Sequence, residues 1–158
     1  MEEMSPLQRE IRQGKPFRSR GQEVVVALLR TADLVRRAVS RAVEPHDITL
    51  QQYNVLRILR GAGEQGLPTL EIADRMIEHA PGVTRLLDRL EAKALVRRER
   101  CRQDRRQVLC WLTPAGTALV ETLDEPVDHA DIEAVAMLSP EEQDHLLHML
   151  DAIRTGRK

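Results

Sequence analysis

Apolar side chains recur at helical spacing over most of the chain. Over residues 22–43 they fall every three or four positions, as on one face of a long helix, and Pro45 ends the pattern. A T-x-x-Q capping box formed by Thr49 and Gln52 opens a second helix, which is predicted to reach about residue 60.

Residues 81–113 hold a helical stripe that is followed at once by a hairpin. The apolar positions of the predicted helix that share one face are Val83, Leu86, Leu87, Leu90 and Ala94. From residue 96 the pattern alternates as in a half-exposed strand, and residues 108–112 form an apolar return strand. A short helix over residues 70–77, for which Thr69 can act as the cap, precedes this stretch and completes a helix-turn-helix pattern.

Proline preceded by serine or threonine marks three further helix starts. Ser5-Pro6 opens a short N-terminal helix, Thr113-Pro114 opens a helix after the hairpin, and Ser139-Pro140 opens the last one. Pro126 is expected to kink or interrupt the helix that follows the hairpin.

These elements predict a mainly α protein with a small β-hairpin wing, that is, a winged helix-turn-helix with extra helices at both ends. We expect an N-terminal segment and dimerisation helix at residues 1–44, a DNA-binding winged helix-turn-helix at 45–113, and C-terminal dimerisation helices at 114–158. The apolar stripes of the terminal helices exceed what one compact lobe can cover, which favours a homodimer. An intramolecular pair of helices is the alternative.

Composition and charge refine this prediction. Only 2% of residues are aromatic, so the core must be aliphatic, which favours helix-on-helix packing. The net charge is −1, but residues 81–106 carry nine basic and four acidic groups, whereas residues 107–158 carry three and ten. Positive charge is therefore concentrated on the helix and hairpin, as expected for a DNA-binding surface. Simple solvation of a surface helix is the alternative, and it does not explain this clustering.

No feature indicates a membrane protein or an enzyme. No apolar run reaches the ~18 residues that a membrane-spanning helix needs, and no signal peptide opens the chain, so we expect a cytoplasmic protein. There is no G-x-S-x-G motif, no glycine-rich phosphate loop and no sequence pattern for a cofactor.

The run T-R-L-L-D-R-L-E-A-K-A-L-V-R-R at residues 84–98, with D-R-R at 104–106 and L-T-P-A-G at 112–116, resembles the MarR family of bacterial transcriptional regulators. The resemblance extends from about residue 22 to the C-terminus. It implies a homodimeric repressor that binds a near-palindromic operator. It also implies a possible small-molecule effector, bound between the dimer helices and the winged lobe.

One position departs from the pattern of that family. Many relatives carry glycine where Ala94 stands, at the turn from the recognition helix into the wing. Glycine supplies a positive φ at such a turn, so alanine predicts a right-handed exit from the helix.

The helix is predicted to contact the major groove. Arg85 and Arg89 lie one turn apart on the face opposite the apolar stripe, and Thr84 offers a hydroxyl for a phosphate and a methyl group for thymine. Pro81 and Gly82 open the helix and allow backbone amides to approach a phosphate.

The wing is predicted to contact DNA through three arginines. Arg106 and Arg105 lie at the hairpin tip and are expected to enter the minor groove. Arg98 is expected to contact a phosphate.

Two acidic residues in this basic region are predicted to brace it. Asp104 would be repelled by phosphate, so we expect it to orient an arginine or to cap the turn. The resemblance implies bracing salt bridges by Asp88 and Asp104, with Arg89 as the candidate partner of Asp104. Arg89 has a second interpretation, as a carboxylate partner within the lobe rather than a DNA contact.

One sensor hypothesis that remains open from the sequence concerns the two cysteines. If Cys101 lies near the partner of Gln107, then Cys110 faces Arg98, and a disulfide between the two cysteines is disfavoured. Cys101 lies close to arginines, which leaves redox control of DNA release as a hypothesis.

Two further alternatives concern the acidic C-terminal region and the lobe as a whole. His145 and His148 stand three residues apart among acids, which leaves metal sensing open, although no motif with zinc spacing is present. A winged helix can also serve as a protein-interaction module, whose binding would be insensitive to salt.

Overall fold

The computed structural model describes residues 4–79 and 82–156. Its α-helices are α1 Pro6–Glu10, α2 Arg20–Val43, α3 Leu50–Ala62, α4 Thr69–Arg75, α5 Val83–Ala92, α6 Pro114–Ala134 and α7 Pro140–Thr155. Its strands are β1 Leu67–Pro68, β2 Val96–Arg100 and β3 Val108–Leu112. The predicted fold class, mainly α with a small β-hairpin wing, is confirmed.

The chain divides into two compact units, residues 1–38 and 39–158, and the boundary falls within α2. In the first unit, Ser5 and Gln8 form a capping box for α1, and Glu10 pairs with Arg30 of α2 at 2.8 Å. The α2 residues Val25 and Leu29 are exposed.

The core of the second unit is aliphatic, as the low aromatic content predicts. Its fully buried side chains come from α2, α3, α4, α5, β2, β3 and α6, and include Val43, Leu56, Leu59, Ile72, Leu87, Leu90, Val96 and Leu123. An ion pair between Arg60 and Asp124, at 2.7 Å, joins α3 to α6 and lowers the pKa of the Asp124 carboxyl, chiefly through the hydrogen bond from Arg60. Pro126 does not interrupt α6, which continues to Ala134.

The sheet contains one strand more than the predicted hairpin. Its order is β1-β3-β2, and all neighbours are antiparallel. The register places Arg98 opposite Cys110, and the Cys101 amide donates to the Gln107 carbonyl at 2.9 Å, so the predicted separation of the two cysteines is confirmed. Strand β1 was not predicted, because two residues are too few to show the alternation of apolar and polar side chains that marks a strand.

Helix α4 begins and ends earlier than predicted. Pro68 is the N-cap residue, and Thr69 is the first helical residue rather than the cap. The Thr69 hydroxyl instead donates to the Val108 carbonyl of β3 at 3.4 Å. The helix ends at Arg75, and the amide of the exposed Ile77 donates to Asn54 Oδ1 of α3 at 2.9 Å.

The exit from α5 contradicts the prediction of a right-handed turn at Ala94. This residue has φ of +56°, in the left-handed region. Its amide donates to the Glu91 carbonyl at 2.9 Å, and the Leu95 amide donates to the Leu90 carbonyl at 3.0 Å. These two bonds form a Schellman cap, which requires a left-handed residue at this position whatever its side chain.

Replacing Ala94 with glycine is therefore expected to stabilise the protein by about 0.5–1 kcal/mol, because glycine adopts a positive φ without the steric cost that a Cβ imposes. Urea denaturation measures the change. The matched control is Ala118→Gly at an exposed position within α6, which should destabilise by about 1 kcal/mol. If both substitutions lower the free energy of unfolding by similar amounts, the proposed strain at Ala94 is contradicted.

Candidate nucleic-acid interface

Helix α5 presents one apolar and one polar face, as its sequence predicts. Val83, Leu87 and Leu90 are buried in the lobe and Leu86 is half-buried. Thr84, Arg85 and Arg89, which are predicted to contact the major groove, lie on the exposed side together with Asp88, which is predicted to brace this region. The core therefore holds the helix in place while its polar face stays accessible.

The N-terminus of α5 is shaped to leave backbone amides accessible. Gly82 is the N-cap residue, with φ of +117°, a conformation that strongly favours glycine. Within the described residues no side chain caps this end, and the Arg85 amide donates to the Gly82 carbonyl at 2.9 Å. The two amides before it, those of Val83 and Thr84, are the ones that an anion at this end would meet. The other predicted residue at this end, Pro81, lies outside the described residues.

The hairpin tip carries Arg105 and Arg106, and both side chains are exposed. Asp104 caps the turn between them and β3: its carboxylate accepts from the Arg106 amide at 3.0 Å, and its carbonyl accepts from the Gln107 amide at 2.9 Å. The ion pair expected between Asp104 and Arg89 is not formed, and the Asp104 carboxylate accepts from its own turn instead.

Arg98 is the predicted DNA contact that the structure places differently. Its guanidinium turns towards α5, where Nη2 donates to Asp88 and to Glu91 at 2.6 Å each. The side chain is only 20% exposed. Hydrogen bonds to Glu91 and, more weakly, to Asp88 raise the pKa of Arg98, against the opposing effect of burial. Asp88 thus has a wing arginine as its partner.

Hydrogen bonds of Thr113 join the wing to α6. The Thr113 amide donates to the Leu95 carbonyl at 3.1 Å, and its hydroxyl donates to the Ala94 carbonyl at 2.6 Å. The same hydroxyl accepts from the Gly116 amide at 3.0 Å and caps α6. Recognition helix, wing and α6 therefore meet at one hydrogen-bonded junction.

Comparison with known proteins places this geometry in a family. The MarR family profile matches residues 48–108, which span α3 to the start of β3. A solved MarR transcription factor from Planctomyces limnophilus is 37% identical, with a TM-score of 0.67, and the alignment covers 86% of this chain and 98% of that one.

The chain belongs to the MarR family. Members of this family are transcription factors rather than enzymes, and DNA-binding regulation is the class of function that follows.

Two further relatives bear on the interface of this MarR-family chain. The structure of S. aureus MepR in complex with DNA is 29% identical, with a TM-score of 0.75, and the alignment covers 83% of this chain and 96% of that one. The HTH-type transcriptional regulator TtmR of Methylorubrum extorquens (strain PA1) is 37% identical over 65% of this chain. This chain spans about half the length of that relative, since the match covers 51% of it.

The MarR-family chain also contains supporting contacts that sequence reasoning missed. Lys93, at the end of α5, donates to the Asp47 carboxylate at 2.6 Å and to the Asp47 carbonyl. The Arg97 guanidinium lies 4.2 Å from the centre of the Trp111 ring, and Trp111 Nε1 donates to the Glu64 carbonyl at 3.0 Å. The cross-strand pairing of Arg97 with Trp111 was detectable from the hairpin register, whereas the contact of Lys93 with Asp47 had no sequence signal.

The cysteines and the possible metal ligands bear on the redox-sensor and metal-sensor hypotheses. Cys101 is a partly exposed free thiol, and Cys110 is a buried one whose pKa is raised by burial. Over residues 4–79 and 82–156, no three histidine, cysteine or acidic side chains come close enough together to hold a metal ion. Within the same ranges, no helix combines the length and the apolar character needed to cross a bilayer.

Proposed function

We propose that this chain binds double-stranded DNA in a sequence-specific manner, as a homodimer on a near-palindromic operator, and represses transcription in the cytoplasm. The observation that carries the proposal is the exposure of arginines on α5 and on the wing, two elements that Arg98 joins. Arg85 and Arg89 on α5 and Arg105 and Arg106 at the wing tip are exposed, and none forms an ion pair with another described residue.

The two elements suit different parts of a duplex. A helix with Thr84 and Arg85 near its N-terminus fits the major groove, where an arginine can donate two bonds to guanine. A narrow hairpin tip with Arg105 and Arg106 fits the minor groove, where the negative potential favours arginine. Arg89, one turn after Arg85, is placed to contact a flanking phosphate.

Exposed apolar faces on the terminal helices support the homodimer. Helix α7 has no buried residue, and Leu147, Met149 and Ile153 are each more than half exposed. In the other unit, Val25 and Leu29 of α2 are exposed as well. A second copy would cover such faces, and a two-fold dimer would place two recognition helices on half-sites ~10 bp apart or a multiple of that distance.

Control by a small-molecule effector is a further part of the proposal. An open cleft of about 500 Å³ is lined by Glu44, Asp47, Ile48, Thr49, Gln52, Arg89, Ala92 and Lys93. Because Arg89 borders both this cleft and the exposed face of α5, a ligand that binds Arg89 would compete with DNA. Release from the operator would follow, and a promoter blocked by the dimer would become accessible.

Equilibrium titration of purified protein with double-stranded oligonucleotides over a series of salt concentrations tests the proposal. We expect the affinity to fall on the order of a thousand-fold between ~50 and ~200 mM salt, because arginines that bind phosphates release condensed counterions. Binding of a protein partner that is indifferent to salt, with no retention of DNA, would favour a protein-interaction module instead.

A further inference from the structure

Arg98 occupies an unusual position between the wing and the recognition helix. It lies in β2 opposite the buried Cys110, on the sheet face that packs towards α5. Its Nη2 contacts Asp88 Oδ1 and Glu91 Oε2 at 2.6 Å, and its Nε donates to the same Glu91 oxygen at 3.1 Å. One guanidinium therefore binds two carboxylates from successive turns of α5.

The two carboxylates would oppose DNA binding if they were unpaired. Asp88 belongs to the exposed face of α5, between Arg85 and Arg89, and its side chain is 54% exposed. The Glu91 side chain is 40% exposed. Free acidic groups beside a phosphate backbone are repelled by it, so their effect on affinity depends on where Arg98 holds them.

We propose that Arg98 is a positioning residue, which acts on DNA binding through α5 by holding Asp88 and Glu91 and by fixing the wing against the recognition helix. This inference rests on the proposed function, since it concerns how the same surface binds DNA. It replaces the direct phosphate contact that the sequence predicted for Arg98.

The chemistry of the group explains why arginine stands here. A planar guanidinium has donors pointing in fixed directions and can bridge two carboxylates, whereas the single ammonium of lysine acts as a point charge on a flexible stem. The donors of Arg98 that bind Asp88 and Glu91 are occupied by these carboxylates, and two carboxylates outweigh the charge of one arginine. Arg98, Asp88 and Glu91 together therefore fix the position of the wing against α5 and do not add attraction for phosphate.

A double-mutant cycle in DNA affinity tests the inference. Arg98→Gln is measured in the wild-type chain and in the Asp88→Asn, Glu91→Gln background, so that simple changes in net charge cancel. We expect a loss on the order of ten-fold in the wild-type background and no loss in the other, because groups in direct contact are strongly coupled. The salt slope should stay unchanged in both.

Arg106→Gln serves as the matched control in both backgrounds. It should lower the salt slope by about 0.9 per subunit, as removal of one phosphate-neutralising charge does. Arg98→Lys provides a second variant if Arg98→Gln does not fold. It should also weaken binding, because lysine cannot bridge both carboxylates.

Equal losses from Arg98→Gln in both backgrounds, with a reduced salt slope, would overturn the inference and show a direct phosphate contact. Full affinity in Arg98→Lys, or no loss from Arg98→Gln in the wild-type chain, would overturn it as well. Absence of salt-dependent DNA binding by the wild-type protein would contradict the proposed function and the inference with it. If Arg98→Gln and Arg106→Gln change the DNA affinity and the salt slope alike in both backgrounds, the inference is wrong but the proposed function stands.

Discussion

Replacing Gly116 with alanine is expected to lower the free energy of unfolding by about 2–3 kcal/mol. A Cβ at this position of α6 would lie well within the van der Waals contact distance of the Leu95 carbonyl oxygen, and also close to Leu112 Cδ2. The carbonyl is backbone and accepts the amide of Thr113, so it cannot move away without breaking the junction. Helix α6 must shift instead, and the wing and the end of α5 lose their support.

Urea denaturation measures this loss, and Gly61→Ala is its matched control. Gly61 is exposed near the end of α3, and a Cβ there meets no atom within 4 Å. This substitution should stabilise the protein by about 0.5–1 kcal/mol, since alanine favours a helix. If Gly116→Ala is as stable as Gly61→Ala, the close approach of α6 to the wing is not present in solution.

Replacing Arg85 with alanine is expected to weaken binding to the preferred operator by about 1–3 kcal/mol and to relax sequence preference at one position of each half-site. Arg85 is exposed and has no ion pair among the described residues, so stability should change by less than about 0.5 kcal/mol. Competition binding against operators with single base-pair changes measures both the affinity and the preference.

Arg106→Gln provides the contrast within the same surface. It should weaken binding to most sequences alike and reduce the salt slope, because a contact to the wing reads the shape and potential of the minor groove. If Arg85→Ala and Arg106→Gln lose affinity equally on every DNA sequence, the division between base reading by α5 and positioning by the wing is wrong.

The parts of the fold that follow from local rules were predictable from the sequence. The apolar stripe assigns α5 its buried face, Thr49 and Gln52 form the expected capping box, and Ser139-Pro140 opens α7 as expected. Alternation in the hairpin places Cys110 opposite Arg98. Each of these features depends on side chains a few residues apart, or on a short antiparallel register, so the sequence contains the whole signal.

The parts that depend on packing between elements were not predictable. Alternation places Arg97 and Arg98 on opposite faces of β2, but only the docking of the hairpin on α5 decides which arginine meets Asp88. Threonine is a favoured N-cap residue, yet the Thr69 hydroxyl donates to β3 and does not cap α4. At Ala94 the backbone bonds of the Schellman cap outweigh the preference of alanine for a negative φ.

Hydroxyl-radical footprinting of the protein on a selected genomic operator tests the central claim most directly, namely that arginines of the recognition helix and wing bind one duplex together. The account predicts two protected half-sites related by two-fold symmetry, ~10 bp apart or a multiple of that spacing, with minor-groove protection at their flanks that Arg106→Gln removes. A complete absence of protection at low salt, or protection that Arg85→Ala and Arg106→Gln leave unchanged, would contradict it.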